Sequence, residues 1–164
     1  MIYVSTDGSF VQNPERCGFG VHVEDDDGKT IYDLSGYTIA EEYLKSWNIS
    51  SELIAAIIGV VWAASNGFTE ITLYYDYTGV EHFMTGYFKA KSNIAKKYVA
   101  ILSGLKKTFG IDITFVKVKG HSGHKGNERA DKLAGRYEDD RTEWLEKLLT
   151  TLLVVFVPTR GCMM

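Results

Sequence analysis

Residues 1–11 read Met-Ile-Tyr-Val-Ser-Thr-Asp-Gly-Ser-Phe-Val. Ile2 and Val4 alternate with Tyr3 and Ser5, the two-residue period of a β-strand. The alternation then meets Thr6-Asp7-Gly8-Ser9. A carboxylate inside a strand is costly to bury unless it is paired or bound to a metal. Asp7 therefore needs a partner, and Gly8 lets another group approach the backbone closely. An Asp-Gly turn is the plainer reading of these four residues. The rest of the chain decides between the two.

A length of 164 residues suits one domain with a sizeable core. Hydrophobic residues make up 45% and charged residues 24%, which excludes a disordered chain. Eighteen Lys and Arg against 21 Asp and Glu leave a net charge of −3, which excludes a generic polycation but not a local basic patch. Cys17 and Cys162 lie far apart and in no metal spacing, as expected of a reduced, cytoplasmic protein. A strand directly at Met1 implies no signal peptide, and the apolar run Leu152 to Val157 is too short to span a bilayer.

Residues 17–24 alternate as a second strand, Asp25-Asp26-Asp27-Gly28 turns, and Lys29 to Ile39 returns, completing an antiparallel meander. The period then changes. Ser50 or Ser51 is expected to cap a helix that runs to Asn66 and stops at Gly67, with Glu52 in its first turn. Leu53, Ile54, Ile57, Ile58, Val61 and Trp62 make this helix a buried one. Residues 70–76 form a strand ending in Asp76, expected to lie parallel to the first. A short helix over Val80 to Met84, a helix from Asn93 to Phe109 and a strand over 111–118 follow. A glycine-rich loop, 119–126, leads into a helix beginning at Asn127. The order βββαβααβα predicts an α/β fold, a mixed five-stranded sheet with helices on both faces. Residues 139–164 read as a C-terminal extension to a domain over 1–138. Its Trp144, Leu145, Leu148, Leu149, Leu152 and Leu153 recur at helical spacing, and Val154 to Pro158 reads as a short strand. Docking of this segment on a monomeric domain is favoured over self-association through its apolar face.

Asp7, Glu52, Asp76 and Asp131 come from four separate elements. If the first and fourth strands pair and the two helices pack on them, the four acids converge. Uncompensated, they would repel, and some would stay protonated. Divalent cations relieve that repulsion, and hard oxygen ligands suit Mg²⁺ or Mn²⁺. Two such ions roughly 4 Å apart can hold an in-line phosphoryl displacement. The plainer reading is four solvated or capping acids.

Taken in order, Thr6-Asp7-Gly8-Ser9, Glu52-Leu53-Ile54-Ala55-Ala56, Tyr75-Asp76-Tyr77, Gly120-His121-Ser122-Gly123-His124 and Asn127-Glu128-Arg129-Ala130-Asp131 resemble type 1 ribonuclease H. The likeness covers the chain to about residue 138 and implies a ribonuclease H-like fold. It implies hydrolysis of the RNA strand of RNA–DNA hybrids by two metal ions, leaving 5′-phosphate and 3′-hydroxyl ends. It puts Asp7, Glu52, Asp76 and Asp131 at the metal positions, with Glu128 near the second. It makes His121 the loop histidine that shuttles a proton, a role suited to an imidazole, whose ring nitrogens can give up or take a proton. His121 and His124 could instead begin a zinc site, but no third soft ligand stands near.

From His82 to Ile111 there is no acid, yet Lys89, Lys91, Lys96, Lys97, Lys106 and Lys107 fall there, with Tyr87 and Phe88 among them. Such a stretch suits phosphates and sugars. A solvated helix face is the plainer reading. The resemblance puts this region beside the hybrid, although the basic protrusion common in the family is shortened here. It also puts Asn48 and Gln12 or Asn13 at the minor groove, where 2′-hydroxyls distinguish RNA from DNA. Trp47 stands where a small hydroxyl residue often holds a DNA phosphate. Gly8, Ser9 and Tyr77, which flank the acids, are expected to face the substrate. A DNA-cutting, resolvase- or transposase-like nuclease of the same fold is the nearest alternative. A non-catalytic hybrid-binding module is the other.

Overall fold

The computed structural model describes residues 1–156, and of Trp47 and Asn48 the backbone alone. Strands β1 (Ile2–Val11), β2 (Arg16–Glu24) and β3 (Thr30–Thr38) form the expected meander. Then come α1 (Glu41–Leu44), α2 (Trp47–Ser65), β4 (Glu70–Tyr75), α3 (Gly79–Thr85), α4 (Asn93–Phe109), β5 (Asp112–Lys117), α5 (Lys125–Ala134) and α6 (Thr142–Phe156). One sheet contains all five strands in the order β3-β2-β1-β4-β5. β1 is antiparallel to β2 and parallel to β4, and β4 is parallel to β5.

Alternation along β1 sorts its side chains onto two faces. Val4 and Thr6 face α2: a methyl added to Gly59 of that helix would meet them at 2.7 and 3.2 Å. Ser5 faces α5, against Gly126. Asp7 shares that parity. Ser5 pairs with Tyr74, so Asp7 and Asp76 each lie two residues beyond a paired position, at the same end of adjacent parallel strands. α2 is apolar all round because it is buried: Leu53 to Ile58, Val60 and Ala63 are 0–3% exposed. α4 packs on α2 through Ile94, Tyr98, Ile101, Leu102 and Leu105.

Two helix starts differ from expectation. α2 begins at Trp47, with Ser46 at the N-cap position and no side-chain cap. Ser50 and Ser51 are buried inside the helix, and the Ser51 hydroxyl donates to the Ser9 carbonyl at 2.7 Å. The hydroxyl therefore ties the helix to β1 and does not cap it. Glu52 consequently lies past the first turn and owes little to the helix dipole. α5 starts two residues before Asn127, because His124 caps it: His124 Nδ1 accepts from the Asn127 N–H at 3.0 Å.

The extension docks. Leu145 and Leu149 of α6 are buried in the core, and the Phe156 ring fills the space over Gly104 of α4. Residues 139–141 also run along β3. The Tyr37 N–H donates to the Asp139 carbonyl at 2.9 Å, and the Arg141 N–H donates to the Tyr37 carbonyl at 2.8 Å. Val154 to Phe156 belong to α6, so the strand expected there does not form over those residues; Val157, Pro158 and Cys162 lie outside the described residues. α6 can continue through the β-branched pair Val154-Val155 because helix propensity is a weak preference that neighbouring turns override. Among the described residues, no helix is long and apolar enough to cross a membrane.

Two substitutions check this packing. Leu149→Ala is expected to lower the unfolding free energy by about 2–4 kcal/mol in urea titration, since it opens a cavity between α6 and the core. An effect near zero would mean that α6 is not docked. Gly20→Ala puts a methyl 2.2 Å from the Ala130 carbonyl and 2.6 Å from the Ala134 nitrogen. Both obstacles are backbone, so a loss of about 2–3 kcal/mol is expected in the same titration.

Candidate active site

Asp7, Glu52, Asp76 and Asp131 line one cleft of about 550 Å³, together with Gly8, Ser9, Phe10, Ile49 and Tyr77. A smaller hollow beside it is lined by Asp7, Asp76, Asp131, Gly120, His121, Asn127 and Glu128. Each acid arrives by its own route. Asp7 stands on the α5 face of β1, Asp76 just past the end of β4, and Asp131 on α5. Glu52 is delivered from α2 because Gly8 has no side chain. A methyl at Gly8 would lie 2.5 Å from the Glu52 nitrogen. The Gly8 N–H then donates to Asp7 Oδ1 at 2.9 Å and to Glu52 Oε1 at 3.2 Å, joining the two acids through one amide.

The four carboxylates are not equivalent. Asp7 and Glu52 are buried, at 8% and 9% exposure, while Asp76 and Asp131 are exposed. Burial pushes the Asp7 carboxyl up to about 6, with Asp131 adding to the rise and the contacts with Glu52 and the Gly8 N–H opposing it. Burial also raises Glu52 well above the usual carboxylate range, and the Asp7 charge reinforces it. Glu52 Oε2 is buried with no hydrogen-bond partner. An orphaned buried acceptor, beside acids that hold their protons too long, is what a bound cation would relieve. The donors are all hard carboxylate oxygens, suited to Mg²⁺ or Mn²⁺ and not to a thiophilic ion. Among the described residues no three of these side chains are already drawn into a metal cage. The open end of the cleft is where Asp76 and Asp131 stand.

The other expected residues divide. His121, Glu128, Gly8, Ser9 and Tyr77 border the cleft or the hollow. His121 is exposed, in a left-handed backbone conformation at φ 58°. Gln12 and Asn13 are exposed in the turn after β1 and line neither space. The side chain of Asn48 lies outside the described residues. Lys89, Lys91 and Lys96 are exposed on the link into α4 and its first turn, and line neither the cleft nor the hollow. Lys97 is already engaged: its ammonium lies 3.1 Å from Glu42 Oε2 and 3.1 Å from the Tyr43 hydroxyl. His124 is held by its cap and by the Tyr74 ring, 4.4 Å away.

Four lining residues, Ile49, Phe10, Gly120 and Asn127, were not among the expected site residues. Ile49 stands one helical turn before Glu52, so the spacing could have shown it. Phe10 continues the alternation of Gly8. Gly120 and Asn127, the latter 4% exposed with Oδ1 unpartnered, stand inside stretches that carry the resemblance, which gave neither a role of its own.

A family model described as RNase H matches residues 1–138. A "Ribonuclease H" of Lachnoclostridium phytofermentans is 32% identical over 144 residues, covering 81% of this chain and 89% of that protein. A "Ribonuclease H" of Ruegeria sp. is 32% identical over 142 residues, covering 81% and 88%. Among solved structures, LC11-RNase H1 in complex with an RNA/DNA hybrid superposes with a TM-score of 0.68 at 25% identity, over 91% of this chain and 99% of that one. RNase H1 of Halobacterium salinarum does so with a TM-score of 0.65 at 25% identity, over 81% and 93%.

The raised Asp7 predicts how stability depends on pH. In the folded state Asp7 keeps its proton to about pH 6, whereas an unperturbed carboxyl loses it near 3.8. The folded protein therefore holds more protons in that window, and its stability falls as pH rises through it. The loss is of order 2–3 kcal/mol and persists above pH 6. Asp7→Asn removes it. In EDTA at pH 8 this variant should melt several degrees above the natural protein, and the gap should close at pH 4. Parallel pH profiles would show that Asp7 is not under electrostatic load.

Proposed function

The chain belongs to the ribonuclease H family of endoribonucleases, and we propose that its acidic cleft hydrolyses the RNA strand of RNA–DNA hybrids with divalent cations bound to its acids. The observation that carries this reading is the convergence of four carboxylates from four elements on one cleft. Asp7, Glu52, Asp76 and Asp131 would hold two Mg²⁺ ions, or Mn²⁺ in their place, with Glu128 beside them. Bound there, the ions supply charge neutralisation at the scissile phosphate and acidify a water molecule.

The chain's own groups account for the remainder. Asp7 and Glu52 are fixed by the shared Gly8 amide, so their oxygens are preorganised. His121 lies in the hollow with Asp76, Asp131 and Glu128, within reach of a group leaving the cleft. It is the proposed proton donor to the 3′-oxygen, giving 5′-phosphate and 3′-hydroxyl ends. Gly8, Ser9 and Tyr77 form the wall along which the RNA strand lies. Lys89, Lys91 and Lys96 are free to meet DNA-strand phosphates, while a phosphate must displace Glu42 to reach Lys97. Asn48 and Asn13 remain the proposed minor-groove contacts. The LC11 neighbour, captured with an RNA/DNA hybrid, supports this class of substrate. We take the protein as a monomer, because Leu145 and Leu149 of α6 are buried in its own core, and as cytoplasmic, in keeping with two cysteines far apart and in no metal spacing.

Labelled RNA–DNA, RNA–RNA and DNA–DNA duplexes with Mg²⁺, Mn²⁺ or EDTA test this directly. Only the RNA strand of the hybrid should be cut, and only with metal. Cleavage of all-DNA duplex would favour the resolvase-like alternative; hybrid binding without cleavage would favour the binding module. Asp76→Asn should reduce cleavage by roughly a thousandfold, about 4 kcal/mol of transition-state stabilisation, while folding and hybrid binding persist. Retained activity would remove Asp76 from its proposed role.

A further inference from the structure

One face of β2 carries Gly18, Gly20, His22 and Glu24 in alternation. α5 lies on the two glycines. A methyl at Gly18 would come 2.2 Å from the Ala134 carbonyl, and one at Gly20 would meet the Ala130 carbonyl at the same distance. Backbone on backbone sets the height of the helix above the sheet. A glycine track is smooth, however, and does not by itself stop the helix from turning or sliding. That matters because Asp131 reaches the cleft from this helix.

Just past the glycines, a polar chain crosses from the sheet to α5. Arg129 Nε and Nη2 both donate to Asp33 Oδ2, at 3.1 and 3.0 Å. The other Asp33 oxygen lies 2.6 Å from His22 Nδ1, on the residue directly opposite in the β2–β3 register. His22 is 5% exposed, and its Nε2 lies 3.1 Å from Glu24 Oε1. Both Asp33 oxygens are therefore held, so the carboxylate that receives the guanidinium cannot swing. Arg129 follows Glu128 directly and precedes Asp131 by two residues, about 200° around the helix. A turn of α5 that loosens Arg129 therefore moves Asp131 by the same angle.

We propose that the Glu24–His22–Asp33–Arg129 chain is a positioning device that fixes the rotation of α5 and so sets Asp131 and Glu128 against Asp7 and Asp76. None of its four members lines the cleft or the hollow. The inference rests on the cleft being the metal-dependent site proposed above. Outer residues that orient metal ligands commonly govern metal affinity by 10- to 100-fold.

The test uses the full chain with Asp33→Asn, Arg129→Gln, the double variant and Arg129→Lys. Each single change should raise the Mg²⁺ needed for half-maximal hybrid cleavage by about tenfold. The KM for hybrid at saturating Mg²⁺ should stay within twofold. The double variant should be no worse than either single, because both break one contact. Arg129→Lys keeps the charge but loses the fork, so it should shift the same way by less. A second readout needs no catalysis: the Mg²⁺ concentration giving half of the metal-induced rise in melting temperature should move in parallel. Unchanged Mg²⁺ requirements in folded variants, or additive losses in the double, overturn the proposal. If Asp33→Asn does not fold, Arg129→Lys decides, since its side chain is 38% exposed. If the natural chain binds Mg²⁺ but cuts no hybrid, and Asp33→Asn still shifts the metal midpoint, the positioning role stands and the hydrolytic reading falls.

Discussion

Like charges held close in a poorly solvated place are the constraint around which this molecule is arranged. Asp7 and Glu52 are buried side by side; burial raises both carboxyls, with the Asp7 charge adding to the rise at Glu52 and Asp131 adding to that at Asp7. A protein that needed only stability would replace such a pair with apolar groups. Here the surrounding architecture enforces the approach: Gly8 removes the side chain that would keep α2 away, and the Gly8 N–H bonds both acids. The cost falls on folding, and a divalent cation bound as proposed would offset it. On that proposal, metal affinity and structural stability would be linked through the same four oxygen-bearing side chains.

The two faces of the sheet divide the work. On one face α2 and α4 supply the apolar bulk, and the shortness of Gly59 lets α2 settle onto Val4 and Thr6. On the other face α5 rides directly on the strand backbone. The apolar face is tolerant of detail, because hydrophobic packing is non-directional. The α5 face is not, because its register rests on hydrogen bonds with fixed angles. Placing the exposed acids Asp76 and Asp131 at a strand end and on α5 puts two of the proposed metal ligands on the directional side.

Much of this was legible in the sequence. Period-two alternation in β1 and period-3.6 spacing in α4 fixed both elements, and the bounds of α4 agree to the residue with Asn93 and Phe109. The convergence of Asp7, Glu52, Asp76 and Asp131 followed once β4 was paired with β1. What was not legible had a common cause. Ser50, Ser51 and His124 carry groups that cap helices locally, but whether they do so depends on what lies across from them. Ser51 found the Ser9 carbonyl, and His124 found the Asn127 amide. Lys97 read as a free cation because Glu42 is 55 residues away in sequence. Long-range polar pairings of this kind leave no periodic trace. The short helix α1 was missed for a related reason: four residues are too few to show a period.

The strip of chain at 139–141 has a consequence beyond anchoring α6. β3 is an outer strand of the sheet, and such strands offer unpaired amides and carbonyls to any extended segment nearby. Tyr37 contributes both of its outward groups to residues 139 and 141 of the same polypeptide. That end of the margin is consequently shielded from recruiting a strand of another molecule, the first event in templated aggregation.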